Sequence, residues 1–239
     1  MSSSNDTPTA MGSHRRLGFW RANSLSLVFG GLLLLALAGQ AVAGWADYNE
    51  QARTAAAPEV TLLAYVQSTH YAVDVTENWQ SEFLQFTLYI LLTIWLVQRG
   101  SAESKRASDR GRESDEKQRV GAFARPDSPS WVRAGGWRTA LYSHSLTLAM
   151  TAVFTASWTI QGITGWVAEN ERRMRDLLDP DGFTDYVAGA DFWDRTLQNW
   201  QSELLAIGAM AVFSIYLRER GSPESKPVGA PHDETGRTG

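Results

Sequence analysis

The chain has 239 residues, 22 Lys and Arg against 26 Asp and Glu, and a net charge of -4. It has no cysteine, which excludes a disulfide framework, a thiolate metal site and a cysteine nucleophile. Its four histidines, His14, His70, His144 and His232, are scattered without metal-ligand spacing, so no metal site and no cofactor is expected.

Residues 1–20 read as a disordered N-terminal segment, rich in Ser, Thr and Asn at its start. His14-Arg15-Arg16 and Arg21 precede an apolar run from Ser24 to about Ala46. Ala41-Val42-Ala43 mimics a signal-peptide cleavage site. The run is longer than the roughly 7–15-residue apolar core of such a peptide, however, and it recurs inside the chain, so a retained helix over about 24–46 is expected. Residues 47–77 form a polar, acidic loop in which Pro58-Glu59 opens a short amphipathic turn carrying Leu62, Leu63 and Val66. A second apolar span covers about 79–97; at about 1.5 Å per residue it reaches roughly 28 Å, just enough for a hydrocarbon core. The charged, Ser/Gly/Arg-rich stretch 106–136 has no period long enough to bury a core and predicts a flexible linker. A third span over about 141–167, a polar loop and a fourth span over about 200–217 follow. Residues 227–239 read as a disordered tail.

The two halves match at a constant offset of 121 residues. Asn78–Lys105, NWQSEFLQFTLYILLTIWLVQRGSAESK, returns as Asn199–Lys226, NWQSELLAIGAMAVFSIYLRERGSPESK. Gly44-Trp45, Asn49-Glu50 and Tyr65-Val66 return as Gly165-Trp166, Asn170-Glu171 and Tyr186-Val187. Two unrelated hydrophobic hairpins do not keep register through a variable polar loop. The expected fold is an all-α membrane protein with four transmembrane helices, built by tandem duplication of a two-helix unit: repeat 1 over 21–105 and repeat 2 over 137–226.

Charge orients this unit. Loops 47–82 and 167–203 hold only Arg53, Arg172, Arg173, Arg175 and Arg195, and the other 17 of the 22 basic residues lie in the N-terminal segment, linker and tail. Positive charge stays on the cytoplasmic side, so both termini are expected inside and both repeats in the same orientation.

Three groups of residues are candidates for a site. Gln40, Glu82, Gln85, Gln161 and Glu203 fall at similar depth near the outer tryptophans and form a candidate polar layer. Glu82 and Glu203 facing each other would bind a cation or share a proton; the blander reading is that first-turn glutamates complement the helix dipole while amides join helices. In the repeated motif, Asn78, Ser81, Glu82 and Gln85 share one helical face and Trp79 the other, with Asn199, Trp200 and Ser202 repeating the pattern. At the cytoplasmic exit, Arg99 and Arg220 are placed to meet helix C-termini, Gly100 and Gly221 suit the left-handed position after a helix, and Ser101 and Ser222 cap a new turn.

The repeated NWxSE and RGSxESK motifs resemble those of an uncharacterised family of bacterial integral membrane proteins, a domain of unknown function. The resemblance implies a four-span inner-membrane protein and no activity. With no phosphate loop, His-Glu metal pattern or nucleophile turn, a non-enzymatic structural or interaction module is expected. The alternative is a small transporter or channel using the paired glutamates. The expected partners are the lipid bilayer and a protein partner or second copy, not nucleic acid.

Overall fold

The computed structural model describes residues 18–236; His14, Arg15 and Arg16 lie outside the described residues. Among the described residues the chain forms helices and turns without a strand. It divides into two compact units, one ending at Val66 and the other beginning at Gln67.

The first unit holds α1 (Phe19–Ala22), α2 (Ser24–Thr54) and α3 (Leu62–Val66). α2 runs for 31 residues, about 46 Å at the usual helical rise. Leu25, Val28, Phe29, Leu34 and Leu35 are each more than half exposed on it. It stops at a Schellman motif: Ala57 N donates to Ala52 O at 2.8 Å and Ala56 N to Arg53 O at 3.1 Å, with Ala56 left-handed at φ 54°. The chain then folds back. Trp45 Nε1 donates to Val60 O at 2.7 Å, and the Asn49 amide both donates to that carbonyl, at 3.0 Å, and accepts from Val60 N, at 2.9 Å. Gly44 is what allows the return: a Cβ there would fall 2.3 Å from Tyr65 Oη.

The second unit contains α4 (Thr69–Leu92), α5 (Asp115–Gln118), α6 (Ser130–Ala134), α7 (Gly136–Ser143), α8 (Ser145–Arg175), α9 (Phe183–Ala188) and α10 (Ala190–Tyr216). α4 packs along α8, and α10 along α4. The α4–α8 pair is antiparallel, because His70 lies against Glu171 and Val73 against Gly165. α4 and α10 run parallel, since Glu77, Gln80 and Ser101 meet Arg195, Trp200 and Ser214 in rising order.

Helix boundaries recur at the sequence offset. α2 and α8 both start and stop 121 residues apart, and α4 and α10 start 121 apart. The loop clasp also recurs: Trp166 Nε1 and Asn170 Nδ2 donate to Asp181 O at 2.8 and 3.1 Å. Leu177 repeats the left-handed Ala56, at φ 60°, and a Cβ on Gly165 would fall 2.4 Å from Tyr186 Oη.

Two helices, α2 and α8, are long and apolar enough to cross a membrane by length and composition. The second and fourth expected spans differ. α4 and α10 begin ten residues before Trp79 and Trp200, and these first turns carry Asp74 and Glu77, or Asp191, Asp194 and Arg195. α4 also stops at Leu92, short of the expected Val97. Thr93 Oγ1 turns back to Tyr89 O at 2.7 Å, and the backbone leaves the helix through Thr93–Val97. The apolar part of α4, Phe83–Leu92, is therefore about 15 Å long, and that of α10, Leu204–Tyr216, about 20 Å.

The stretches expected to be flexible linker and disordered tail make specific contacts. Lys105 pairs with Glu113 at 3.2 Å, Gly111 N donates to Ile94 O at 2.6 Å, and Thr235 Oγ1 accepts from Gly100 N at 2.8 Å. Composition records a shortage of apolar residues; it does not record backbone carbonyls arranged to receive a lysine.

Candidate functional site

The described residues bury more polar side chains than apolar ones, 13 against 8. Seven of the polar ones, Thr76, Gln80, Ser81, Thr87, Ser157, Gln161 and Thr196, form a seam where α4, α8 and α10 meet. On α4 the buried stripe is Val73, Thr76, Gln80 and Thr87, at helical spacing, with Ser81 beside it. α8 contributes Ser157 and Gln161 next to Gly162 and Gly165, whose missing side chains let α8 approach its neighbours. α10 contributes Thr196, fully buried.

Across this seam the second NWQSE motif reaches the first. Trp200 Nε1 donates to Gln80 Oε1 at 2.7 Å, and Asn199 Nδ2 to Glu77 Oε1 at 2.9 Å. Arg195 pairs with the same Glu77 at 3.3 Å. Trp158 stands between Phe192 and Trp200, with ring centroids 6.2 and 5.9 Å away, and Phe154 stacks on it at 5.7 Å. Since Phe192, Thr196 and Trp200 occupy successive turns of α10, Trp158 lies over Thr196. Gln80 Nε2, Gln161 Oε1, Trp158 Nε1 and Thr196 Oγ1 are buried there without a hydrogen-bond partner.

The predicted residues fall at several places. Gln161 belongs to the seam. Glu82 is exposed and Glu203 half-buried, near enough for the charge of one to act on the other. Gln85 lines a cleft of about 550 Å³ between α4 and α10, together with Tyr89, Met210, Glu103 and Glu224; Tyr89 Oη donates to Glu103. Gln40, half-buried on α2, belongs to the first unit. Ser81 and Ser202 donate within their own helices, to Asn78 O at 2.9 Å and Asn199 O at 2.8 Å. Trp79 is 39 % exposed and does not share the inward role of Trp200. Gln80 is the residue that sequence reasoning missed, although its place in the stripe 73, 76, 80, 87 signals a buried face.

The second cluster is built at the ends of α4 and α10. Each RGSxESK motif forms a β-turn rather than a helix cap. Ser101 N donates to Gln98 O at 3.2 Å and Ser222 N to Glu219 O at 3.3 Å; Gly100 and Gly221 hold φ 87° and 86° at the third turn position, where glycine is favoured. The expected left-handed position after the helix is thus corrected, because both helices have already ended. Ser104 and Ser225 staple the turns, accepting from Gln98 N at 2.8 Å and Glu219 N at 2.9 Å. Arg99 pairs with Asp233 at 3.2 Å. Arg218, not Arg220, meets the helix end, donating to Ser214 O at 3.3 Å, Ile215 O at 3.1 Å and Leu217 O at 2.8 Å.

At the centre lies Lys226, 1 % exposed. Its Nζ stands 2.6 Å from Gly100 O, 3.1 Å from Pro231 O, 3.0 Å from His232 O and 3.1 Å from Glu234 O. It therefore ties the α4 turn to the tail after α10. Desolvation holds its pKa below the usual lysine range, and the nearby Arg218 charge adds to this, against Glu234 and Asp233. The equivalent Lys105 is 31 % exposed and pairs with Glu113. Glu113-Ser114 and Glu234-Thr235 stand at the 121-residue offset, the sequence signal that the motif extends beyond its lysine.

No group of His, Asp and Glu among the described residues is arranged to hold a metal ion. The family described as Domain of unknown function (DUF6766) matches residues 16–237. No curated protein and no solved structure matches the chain.

Proposed function

Because this chain belongs to the family of Domain of unknown function (DUF6766), we propose its role from its own geometry: a four-span, non-enzymatic module of the cytoplasmic membrane. The observation that carries this reading is the inside-out distribution of side chains. Gln80, Gln161, Thr196 and Lys226 are buried, while Leu204, Leu205, Phe213 and Tyr216 on α10 are more than half exposed, as are Leu25, Leu32, Leu34 and Leu35 on α2. A chain in water pays for such a surface; a chain in lipid does not.

The charge pattern argues for four crossings over two. If only α2 and α8 crossed, the basic linker 98–136 would be translocated, against the positive-inside preference. The parallel α4 and α10, with recurring boundaries, fit two same-orientation repeats that arose by duplication. Their short apolar parts fit because the polar first turns are sheltered by α8 and the bilayer adapts to short spans. The clamp around Lys226 makes the two helix ends one inner surface, suited to holding a protein partner or a second copy.

A transport reading draws on the α4–α10 cleft, with Gln85, Tyr89 and two glutamates along it. Reporter fusions after Lys105 and Lys226 test the topology, both being expected in the cytoplasm. Cation uptake into vesicles by purified protein, lost in Glu103→Gln with Glu224→Gln, would favour transport over the module.

A further inference from the structure

We propose that the cavity at the end of α4 and the start of α8 binds the head of a zwitterionic phospholipid bearing a primary amine. This rests on the membrane reading above. The cavity measures about 920 Å³, large enough for a lipid headgroup and its glycerol. Part of its lining is apolar: Ile90 from α4, Ile94 and Trp95 from the turn that follows it, and Leu146 from α8. The lining also includes Arg112, Asp115 and His144.

The charges in that lining select the ligand. Lys105 and Glu113 also line the cavity, but they pair with each other at 3.2 Å and cancel. The Arg112 and Asp115 side chains make no hydrogen bond or ion pair among the described residues, and both are exposed. One uncommitted cation and one uncommitted anion match a phosphate carrying an ammonium. Arg112 donates to the phosphate, Asp115 accepts from the ammonium, and the glycerol lies over Ile94 and Trp95. An anionic glycerol lipid offers Asp115 only neutral hydroxyls and no positive charge, and a choline lipid has no N–H to donate to it.

The tryptophans in and beside the lining put the cavity at a lipid interface. Trp95, Trp131 and Trp137 are 48, 42 and 67 % exposed. Trp131 and Trp137 pack edge-on at 6.0 Å, with the Arg138 guanidinium 5.6 Å from the Trp137 ring. Exposed tryptophans next to arginines on short helices are the signature of segments lying at headgroup level.

The test is native mass spectrometry of the full-length protein in detergent, after incubation with equimolar dioleoyl phosphatidylethanolamine, phosphatidylglycerol and phosphatidylcholine. The ethanolamine adduct is expected to exceed each of the others by about fivefold, and Arg112→Ala to lower it about tenfold, the scale of one charge-assisted contact. Asp115→Asn is expected to bring the ethanolamine and choline lipids to parity. Equal retention of all three lipids by the unaltered protein, or an ethanolamine adduct unchanged by both substitutions, would overturn the proposal. A chain that stays monodisperse without detergent would overturn the membrane reading instead.

Discussion

Lys226→Met tests the clamp against its own internal control. The substitution keeps most of the side-chain volume but leaves four carbonyl oxygens, now 2.6–3.1 Å from Nζ, facing a thioether. Hydrogen bonds from a charged donor contribute about 1.5–3 kcal/mol each, net of solvation. Burying the ammonium costs several kcal/mol in return. The difference leaves about 3 kcal/mol for the truncation, roughly a hundredfold in the opened fraction of the tail. Lys105→Met breaks a partly exposed ion pair worth about 0.5–1 kcal/mol, less than about a tenfold change. Hydrogen exchange of segment 227–236 in detergent reads the opening directly, since Gly236 N donates to Ser101 O at 3.1 Å. Equal exchange in the two variants, or an increase below about tenfold in Lys226→Met, would refute the clamp.

Other expectations follow from single contacts. Leu177→Gly should raise thermal stability by about 1 kcal/mol, because Leu177 is 94 % exposed and left-handed; a lower melting temperature would contradict this. Gly165→Ala should destabilise by about 1–3 kcal/mol, and Tyr186→Phe, which removes the Oη 2.4 Å from the new Cβ, should recover part of the loss in the double variant. Coupling between Glu82→Gln and Glu203→Gln below about 0.3 kcal/mol in a thermal double-mutant cycle would sink the shared-site reading of that pair. Hydrogen bonds from Gln118 and Lys105 hold the Glu113 carboxyl below its ordinary range. That stabilisation is present above about pH 4.3 and is lost as pH falls through the folded value; Glu113→Gln should flatten this acid limb in a melting-temperature profile. The depressed Lys226 has the opposite consequence. The folded state binds fewer protons than the unfolded one just below about pH 10.4, so tail protection should rise with pH there, and Lys226→Met should remove the rise.

Much of the fold was legible because helices announce themselves by period and repeats by register. The offset of 121 residues relates the two long apolar helices and matches Trp45 and Asn49 to their counterparts Trp166 and Asn170. The seam was only partly legible. Gln161 stood out as an amide in an apolar run, whereas Gln80 was hidden among the polar residues of Asn-Trp-Gln-Ser-Glu. Its burial depends on which face α8 covers, and that is tertiary information. The turns at Gly100 and Gly221 look like helix caps in sequence, since both need positive φ; only the early helix end at Leu92 separates the two. Lys226 was invisible for another reason. Its partners are backbone carbonyls, which leave no mark in composition.

The central claim is that α4 and α10 cross the bilayer although α2 and α8 are the more apolar pair. Paired alkaline phosphatase and fluorescent-protein fusions immediately after Lys105 measure this most directly. Four crossings place that junction in the cytoplasm, with fluorescence and no phosphatase activity, while a fusion in 47–57 shows the reverse. Phosphatase activity after Lys105 would mean that α4 does not cross, and would contradict the account.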